Sequence, residues 1–201
     1  MARRLIGIGI TDAQGNVAIP YTGTGAGKLQ IVAECGDLTS DTYELSDYLF
    51  YDSGFESVTS LASKWSIGDK ITRSSDDNGT KIEAANATVS TCYQYTNTTF
   101  TGDFEATFHF ETIAGTIGTR FGIVSGSTRR YATGNAGNRY MKLQRINGVT
   151  TIYYSSDNEN WSESSMTGTE PSGAVSIMIG MYNVFSTPTS FIYNDLKVYY
   201  I

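Results

Sequence analysis

Side chains that could bind a ligand are concentrated in a basic, aromatic-rich stretch around residues 127–145. Six basic residues and no acidic residue lie between Glu111 and Asp157, whereas the whole chain has a net charge of −6. Arginine presents a planar fork of donors to carboxylates and phosphates, and tyrosine presents a flat face to sugar rings or cations. Glycine and asparagine within the stretch indicate a loop with exposed side chains. We therefore predict a ligand-binding site that comprises Arg129, Arg130, Tyr131, Arg139, Tyr140 and Trp161.

Two other interpretations of this stretch remain open. Its arginines could balance acidic neighbours on a solvated loop, or they could contact the acidic segment 34–56 of another copy of the chain. An acidic protein with one local basic stretch does not have the charge pattern of a general nucleic-acid binder. The sequence therefore predicts no nucleic-acid partner, although the basic stretch could hold an anionic ligand.

Glu105 and Glu111 are the carboxylates that could serve a glycoside hydrolase. Alternation places them on one face of a strand, but six residues apart, which is about 20 Å of extended chain. Hydrolases need the two carboxyl groups about 5.5 Å apart for retention or roughly 6.5–9.5 Å apart for inversion. His109, the only histidine, lies in the middle of the same strand without a nucleophile-elbow pattern. We predict no catalytic residue and no enzymatic activity, with a carboxylate pair assembled between strands as the alternative.

Residues 76–79 and 157–160 are rich in oxygen ligands, but calcium requires six or more that converge. Asx turns explain both strings without a metal. Two cysteines and one histidine do not provide a zinc site. The glycine-rich residues 23–28 lack the first glycine of a phosphate-binding loop, and Leu29 stands where that loop has Ser or Thr. The sequence predicts no metal and no cofactor.

The composition predicts an all-β fold. The 201 residues include 21 Gly and 14 Tyr, and only 17% are charged. The clearest strand has Phe104, Ala106, Phe108 and Phe110 on one face, and Asn147-Gly148 is a strong hairpin signal. About nine strands and no long helical pattern indicate an antiparallel β-sandwich or jelly roll. The strand candidates of this region are residues 70–73, 80–84, 88–95, 103–113, 118–125, 139–146, 150–155, 174–182 and 191–201.

The N-terminal region differs from the rest and reads as a small β unit over residues 5–45. Strands are predicted at residues 5–10, 17–21 and 28–35. The apolar run 5–10 is shorter than the roughly 7–15 residues of a signal-peptide core. We therefore expect a mature N-terminus made in a cytoplasm. Apolar runs along the chain are also too short for a membrane-spanning helix, which predicts no membrane insertion.

Residues 11–35 resemble the closing half of a bacterial Ig-like module of the kind found in invasin-type adhesins and tailed-phage structural proteins. The matching features are Thr11-Asp12, Gly15, an aromatic strand that runs into the glycine-rich segment 21–27, and a strand that ends in Ala33 and Cys35. The front strands of such a module are missing. The resemblance therefore implies either a partial Ig-like unit over residues 1–45 that another chain completes, or strands that serve a different local role.

Residues 46–201 resemble the concanavalin A-like (laminin-G-like) jelly-roll superfamily. The resemblance is carried by Phe50-Tyr-Asp52-Ser-Gly followed by Trp65, and by segments 103–108, 153–161 and 194–200. In that superfamily the last strand returns beside the first. Some of its members are glycoside hydrolases, and a body without a catalytic pair implies a lectin-like role.

Together the two resemblances imply a virion structural protein of the receptor-binding, fibre or decoration type, located on a phage particle. Residues 1–45 would dock to other virion proteins, and residues 46–201 would attach to a host-surface glycan. Unpaired strand edges in the first unit favour a homo-oligomer, and we expect a trimer. The alternatives are a capsid decoration protein that binds no glycan, a cellular adhesin fragment at the cell surface, and a glycoside hydrolase.

Overall fold

A computed structural model describes residues 28–31, 34–35, 38–39, 43–46, 48–67, 71–84, 92–114, 118–134, 139–182 and 189–201. The chain divides into two compact units, Met1–Asp47 and Tyr48–Ile201. Each unit is described separately below.

The first unit contains two antiparallel strand pairs in its described residues. Strand β1 (Lys28–Ile31) pairs with β4 (Tyr43–Ser46), and between them in sequence β2 (Glu34–Cys35) pairs with β3 (Leu38–Thr39). Extended structure is therefore found at both ends of the predicted strand 28–35. The predicted strands 5–10 and 17–21, and most residues of the Ig-like resemblance, lie outside the described residues.

The second unit is a sandwich of two antiparallel sheets, which we name sheet A and sheet B. Within the described residues, sheet A contains eight strands and sheet B contains six. Sheet A has the order β15 (Ser162–Glu163), β14 (Val149–Ser155), β13 (Tyr140–Ile146), β10 (Phe104–Ala114), β18 (Thr189–Tyr200), β8 (Gly79–Ala84) and β7 (Ile71–Asp76), with β5 (Phe50–Asp52) also paired to β18. Sheet B has the order β16 (Met166–Gly168), β12 (Thr128–Gly134), β11 (Gly118–Ser125), β17 (Ser176–Tyr182), β9 (Cys92–Thr96) and β6 (Trp65–Ile67).

The core lies between the two sheets, as the alternating pattern predicts. Phe104, Ala106, Phe108 and Phe110 of β10 are buried, and the ring of Phe108 lies 4.6 Å from that of Phe121 in sheet B. The residues between them along β10 face outward and are half-buried. The prediction of an all-β antiparallel sandwich is confirmed.

Two finer predictions about strand connections are also confirmed. Strands β13 and β14 form a hairpin at Asn147-Gly148, where both residues have positive φ, 52° and 77°. A two-residue type I′ turn requires this backbone conformation. The last strand, β18, pairs with β5 at the start of the unit, as the jelly-roll resemblance implies.

A buried polar network ties the start of the second unit to its end. Asp52 accepts hydrogen bonds from Trp65 Nε1 at 2.6 Å, from the Tyr193 hydroxyl at 2.8 Å and from the Gly54 amide at 2.8 Å. Gln94 Nε2 in turn donates to the Tyr193 hydroxyl at 3.2 Å. Because these residues belong to both sheets, the network fixes one sheet against the other.

The one helix of the described residues, α1 (Val58–Lys64), connects β5 to β6. The Ser57 side chain caps its N-terminus by accepting from the Ser60 amide. With seven residues α1 is far too short to span a bilayer, so no helix in the described part of the chain could cross a membrane.

Candidate functional site

The six residues predicted to form one site are divided between the two sheets. Arg129, Arg130 and Tyr131 belong to β12 in sheet B, which corrects their assignment to a loop. The loop prediction failed because two adjacent arginines face opposite sides of this strand, which hides the alternation of a half-buried strand. Tyr140 is the first residue of β13 in sheet A and Arg139 immediately precedes it, while Trp161 precedes β15 at the edge of the same sheet.

Sheet B carries an open depression of about 410 Å³ beside its edge strands, which we call the β12 depression. Two of its lining residues, Arg129 and Tyr131, belong to the predicted site. The others bring hydroxyl groups and backbone from the β11–β12 turn and from the end of β16. The lining residues are Ser127, Thr128, Arg129, Tyr131, Gly168 and Thr169.

The Arg129 side chain reaches the Tyr93 ring across the outer face of sheet B. Its Cζ atom is 4.5 Å from the ring centroid of Tyr93 in β9, a cation–π contact. In the strand order β11 and β17 lie between these two residues, which are therefore three strand spacings of roughly 4.8 Å apart. Both side chains must extend toward each other along the sheet, and the contact holds the guanidinium over the outer face of sheet B.

Two glycines leave room for this layer of side chains. An added Cβ at Gly122 would lie 2.2 Å from the carbonyl oxygen of Arg130 and 2.6 Å from Tyr131 Cβ. An added Cβ at Gly180 would similarly lie 2.6 Å from Tyr93 Cβ. The Cζ atom of Arg120 lies 4.6 Å from the ring centroid of Tyr131. Tyrosine rings and arginine side chains thus form a packed layer on the outer face of sheet B.

Arg130 points to the opposite side of β12 and holds the rim of the depression. Its Nη1 donates to the Gly168 carbonyl at 2.9 Å, and its Nε lies 3.9 Å from Glu170 Oε2. Glu170 also accepts from the Thr150 hydroxyl at 2.6 Å and lies 4.0 Å from Arg145 Nε. This arrangement anchors the segment that carries Gly168 to both sheets.

The outer face of sheet A carries the remaining predicted residues. The Tyr140 ring lies 4.7 Å from the ring of His109, whose Nδ1 is 3.0 Å from Asn194 Oδ1. Lys142 Nζ lies 4.5 Å from the Trp161 ring centroid, so this lysine occupies one surface of that ring. The Arg139 side chain is exposed. These groups do not line the β12 depression.

Glu105 and Glu111 also lie on the outer face of sheet A, but they are not brought together. Glu105 accepts hydrogen bonds from the Tyr199 hydroxyl and, at 2.7 Å, from Gln144 Nε2. These two partners are also its register neighbours, so neutral side chains flank it on both adjacent strands. Glu111 lies six positions further along β10.

The two oxygen-rich strings form turns in which their carboxylates bond locally. Asp157 accepts from the Glu159 amide at 2.9 Å and from the Asn160 amide at 2.8 Å, and the hydrogen bonds from Asn160 and its neighbours lower the pKa of this carboxyl. Asp76 accepts from the Asn78 amide at 3.0 Å. In the described residues, no group of three or more His, Cys, Asp or Glu side chains is arranged to hold a metal ion.

An exposed aromatic pair lies near the start of the second unit. The rings of Tyr48 and Tyr51 stack 5.3 Å apart, and both side chains are about two-fifths exposed. Lys197 donates to Asp195 at 2.6 Å beside this pair. Burial lowers the pKa of Lys197, but the hydrogen bond and charge of Asp195 outweigh that effect and raise it. Burial and the charge of Asp195 raise the pKa of Tyr51.

Sequence reasoning missed Tyr93, Arg120 and the rim residues Gly168 and Thr169. The contact of Arg129 with Tyr93 depends on the strand order of sheet B, which no local pattern reveals. The local signal that was available is Gly126, which forms the β11–β12 turn with Ser127 and has a positive φ of 57°.

Comparison with known proteins identifies the fold. No family model and no curated protein matches the chain. Among solved structures, a protein of unknown function with galectin-like fold from Bacillus subtilis matches 76% of this chain over 96% of its own, with a TM-score of 0.51 and 13% identity. The second unit therefore has a galectin-like jelly-roll fold.

Two further structures share this jelly roll. A functionally unknown protein from Saccharomyces cerevisiae matches 70% of this chain over 98% of its own, with a TM-score of 0.51 and 10% identity. An engineered GH43 glycoside hydrolase matches 96% of this chain, with a TM-score of 0.53 and 13% identity, and the match spans 46% of that enzyme. At these identities the likeness concerns the fold alone.

Proposed function

We propose that this protein binds glycans and that the β12 depression is its binding site. The observation that carries the proposal is the convergence of Arg129, Tyr131 and several hydroxyl groups on one open depression. Its volume of about 410 Å³ falls in the range of small-molecule sites, roughly 300–1,000 Å³.

The chemistry of the lining suits a sugar. The Ser127, Thr128 and Thr169 hydroxyls can each donate and accept, as sugar hydroxyls do. Tyr131 adds an aromatic ring with a polar tip, a combination favoured at binding surfaces. Arg129 is fixed on the Tyr93 ring before a ligand arrives, so less side-chain entropy is lost on binding.

We place this activity on a virion. In this proposal residues 1–45 form the partial Ig-like unit that docks to other virion proteins, and the chain assembles as a homo-oligomer, a trimer in our expectation. Several copies would turn weak sugar binding into useful avidity. The support for this setting is the pair of sequence resemblances. A decoration protein without glycan binding and a cellular adhesin fragment are the alternatives.

A glycoside hydrolase is the other candidate function. The observation that favours it is the likeness of fold to an engineered GH43 enzyme. The surroundings of Glu105 count against it, because the side chains that bond to Glu105 from both adjacent strands are neutral and supply no second carboxylate. Release of reducing sugar by the full chain, abolished in Glu105→Gln, would establish it in place of a pure binding role.

A glycan array probed with the full chain tests the proposal. We expect a defined set of glycans to bind, and binding to fall sharply in the double variant Arg129→Gln, Tyr131→Ala. The double variant Arg139→Gln, Tyr140→Ala is the matched control, because it removes the same kinds of side chain, one arginine and one tyrosine, from the start of β13 in sheet A. Unchanged binding in the first variant and lost binding in the second would overturn the assignment of the site.

A further inference from the structure

We propose that the glycan bound in the β12 depression carries a negative charge, as a carboxylate, sulfate or phosphate group. This inference rests on the proposed function and names the class of ligand. It follows from the charges around the depression and from the state of one arginine.

The charge around the depression is positive. None of its lining residues is acidic, and Arg129 is among them. Strand β12 carries two arginines and no acidic residue. The nearby carboxylate of Glu170 is already engaged by the Thr150 hydroxyl and lies near Arg130 and Arg145. A ligand in this depression therefore meets a positive field.

Arg129 differs from the other arginines near the rim. Arg130 and Arg145 donate to backbone carbonyls, Arg130 to Gly168 and Arg145 to Pro171 and Gly173. Arg129 makes no hydrogen bond or ion pair in the part of the chain that the structure describes; its contact is with the Tyr93 ring. The guanidinium therefore keeps donors available for a ligand.

The geometry of Arg129 suits an oxyanion. A guanidinium binds a carboxylate or phosphate through two parallel hydrogen bonds, and such charge-assisted bonds are about twice as strong as neutral ones. The contact with the Tyr93 ring restrains the guanidinium, and the hydroxyls of Ser127, Thr128 and Thr169 can donate to further oxygens of the same anion. A neutral sugar would leave this charge without a partner.

Matched pairs of glycans test the inference with the full chain. The carboxylate arm compares 3′-sialyllactose with lactose, and trigalacturonate with its methyl ester. The sulfate arm compares a chondroitin sulfate hexasaccharide with unsulfated chondroitin, and the phosphate arm compares mannose 6-phosphate with mannose. We expect calorimetry to show that the acidic member of at least one pair binds about tenfold tighter or more. This difference is typical of the contribution of one hydrogen bond to a charged group. That affinity should fall as salt rises.

Three variants tie the preference to Arg129. Arg129→Gln should abolish the difference in affinity between the members of a pair. Arg129→Lys should retain part of this difference, because lysine keeps the positive charge but lacks the planar guanidinium that forms two parallel hydrogen bonds. Lys81→Gln removes a positive charge from sheet A, where Lys81 pairs with Glu83, and should leave the preference intact.

The outcomes separate the inference from the proposed function. Equal affinity for both members of every pair, or a preference that survives Arg129→Gln, would overturn the inference while glycan binding stands. If no glycan binds on the array or in any pair, the proposed function and the inference both fail.

Discussion

Asp52 stabilises the second unit through a buried hydrogen-bond network. It is fully buried and accepts three hydrogen bonds from Gly54, Trp65 and Tyr193. Asp52→Asn turns an acceptor-only group into one with two donors that face existing donors. We expect a loss of about 2–4 kcal/mol in the free energy of unfolding, measured by urea denaturation. Asp77→Asn, on an exposed turn, is the control and should change stability little.

Tyr193 makes the stability sensitive to alkali. Burial, followed by the charge of Asp52, raises its pKa well above the ordinary 10.0. Above pH 10 the unfolded chain loses this proton while the folded chain retains it. The stabilisation is therefore complete below pH 10 and is lost as the pH rises toward the raised pKa. Tyr193→Phe should lose about 1–2 kcal/mol at pH 7 and show a shallower decline of stability above pH 10. An alkaline slope equal to that of the wild type would contradict this account.

Residue patterns in the sequence indicated the residues that stabilise the fold better than the residues that form the candidate site. The string that contains Asp52, followed by Trp65, marked the jelly roll, and the two side chains prove to be hydrogen-bonded in the core. Arg129 and Tyr131 were also selected from the sequence. Their partner Tyr93 was missed because the contact crosses two intervening strands, which only the folded sheet brings into line.

At the scale of elements, the close approach of β11 and β12 determines how the arginine and tyrosine side chains pack on the outer face of sheet B. An alanine at Gly122 would place its Cβ 2.2 Å from the Arg130 carbonyl oxygen, so β11 and β12 would have to separate. We expect Gly122→Ala to cost about 1–3 kcal/mol by overpacking and to weaken glycan binding. The measurements are thermal unfolding and calorimetry.

Gly148→Ala separates steric from conformational cost. Gly148 has a φ of 77° and an added Cβ would meet nothing within 4 Å, so the variant should lose only about 1 kcal/mol and bind glycan normally. If Gly122→Ala were no more damaging than this variant, the close packing of β11 against β12 would not be what positions Tyr131.

The elements that sequence patterns predicted are those with a one-sided alternation. Strand β10 alternates buried and half-buried residues from Phe104 to Glu111, and the β13–β14 hairpin turns at Asn147-Gly148. Strand β12 was missed because Arg129 and Arg130 occupy its two faces, one toward the Tyr93 ring and the other toward the Gly168 carbonyl. Both faces of β12 therefore carry a charged side chain, and the alternation of apolar and polar residues that identifies a half-buried strand is lost.

At the scale of the whole molecule, the chain is two units with different tasks in our proposal. We expect the full chain to be an oligomer by light scattering and a chain that begins at Tyr48 to be a monomer, because residues 1–45 would supply the assembly contacts. A monomeric full chain would refute self-assembly through these residues and would point to a foreign partner for the first unit.

The measurement that tests glycan binding at the β12 depression most directly is an NMR titration of the ¹⁵N-labelled full chain with the tightest glycan from the array. We expect the amide signals of residues 127–131 and 168–169 to shift with a single dissociation constant. Shifts confined to Tyr140, Trp161 and their neighbours in sheet A, with residues 127–131 unchanged, would contradict the account and place the site on the opposite sheet.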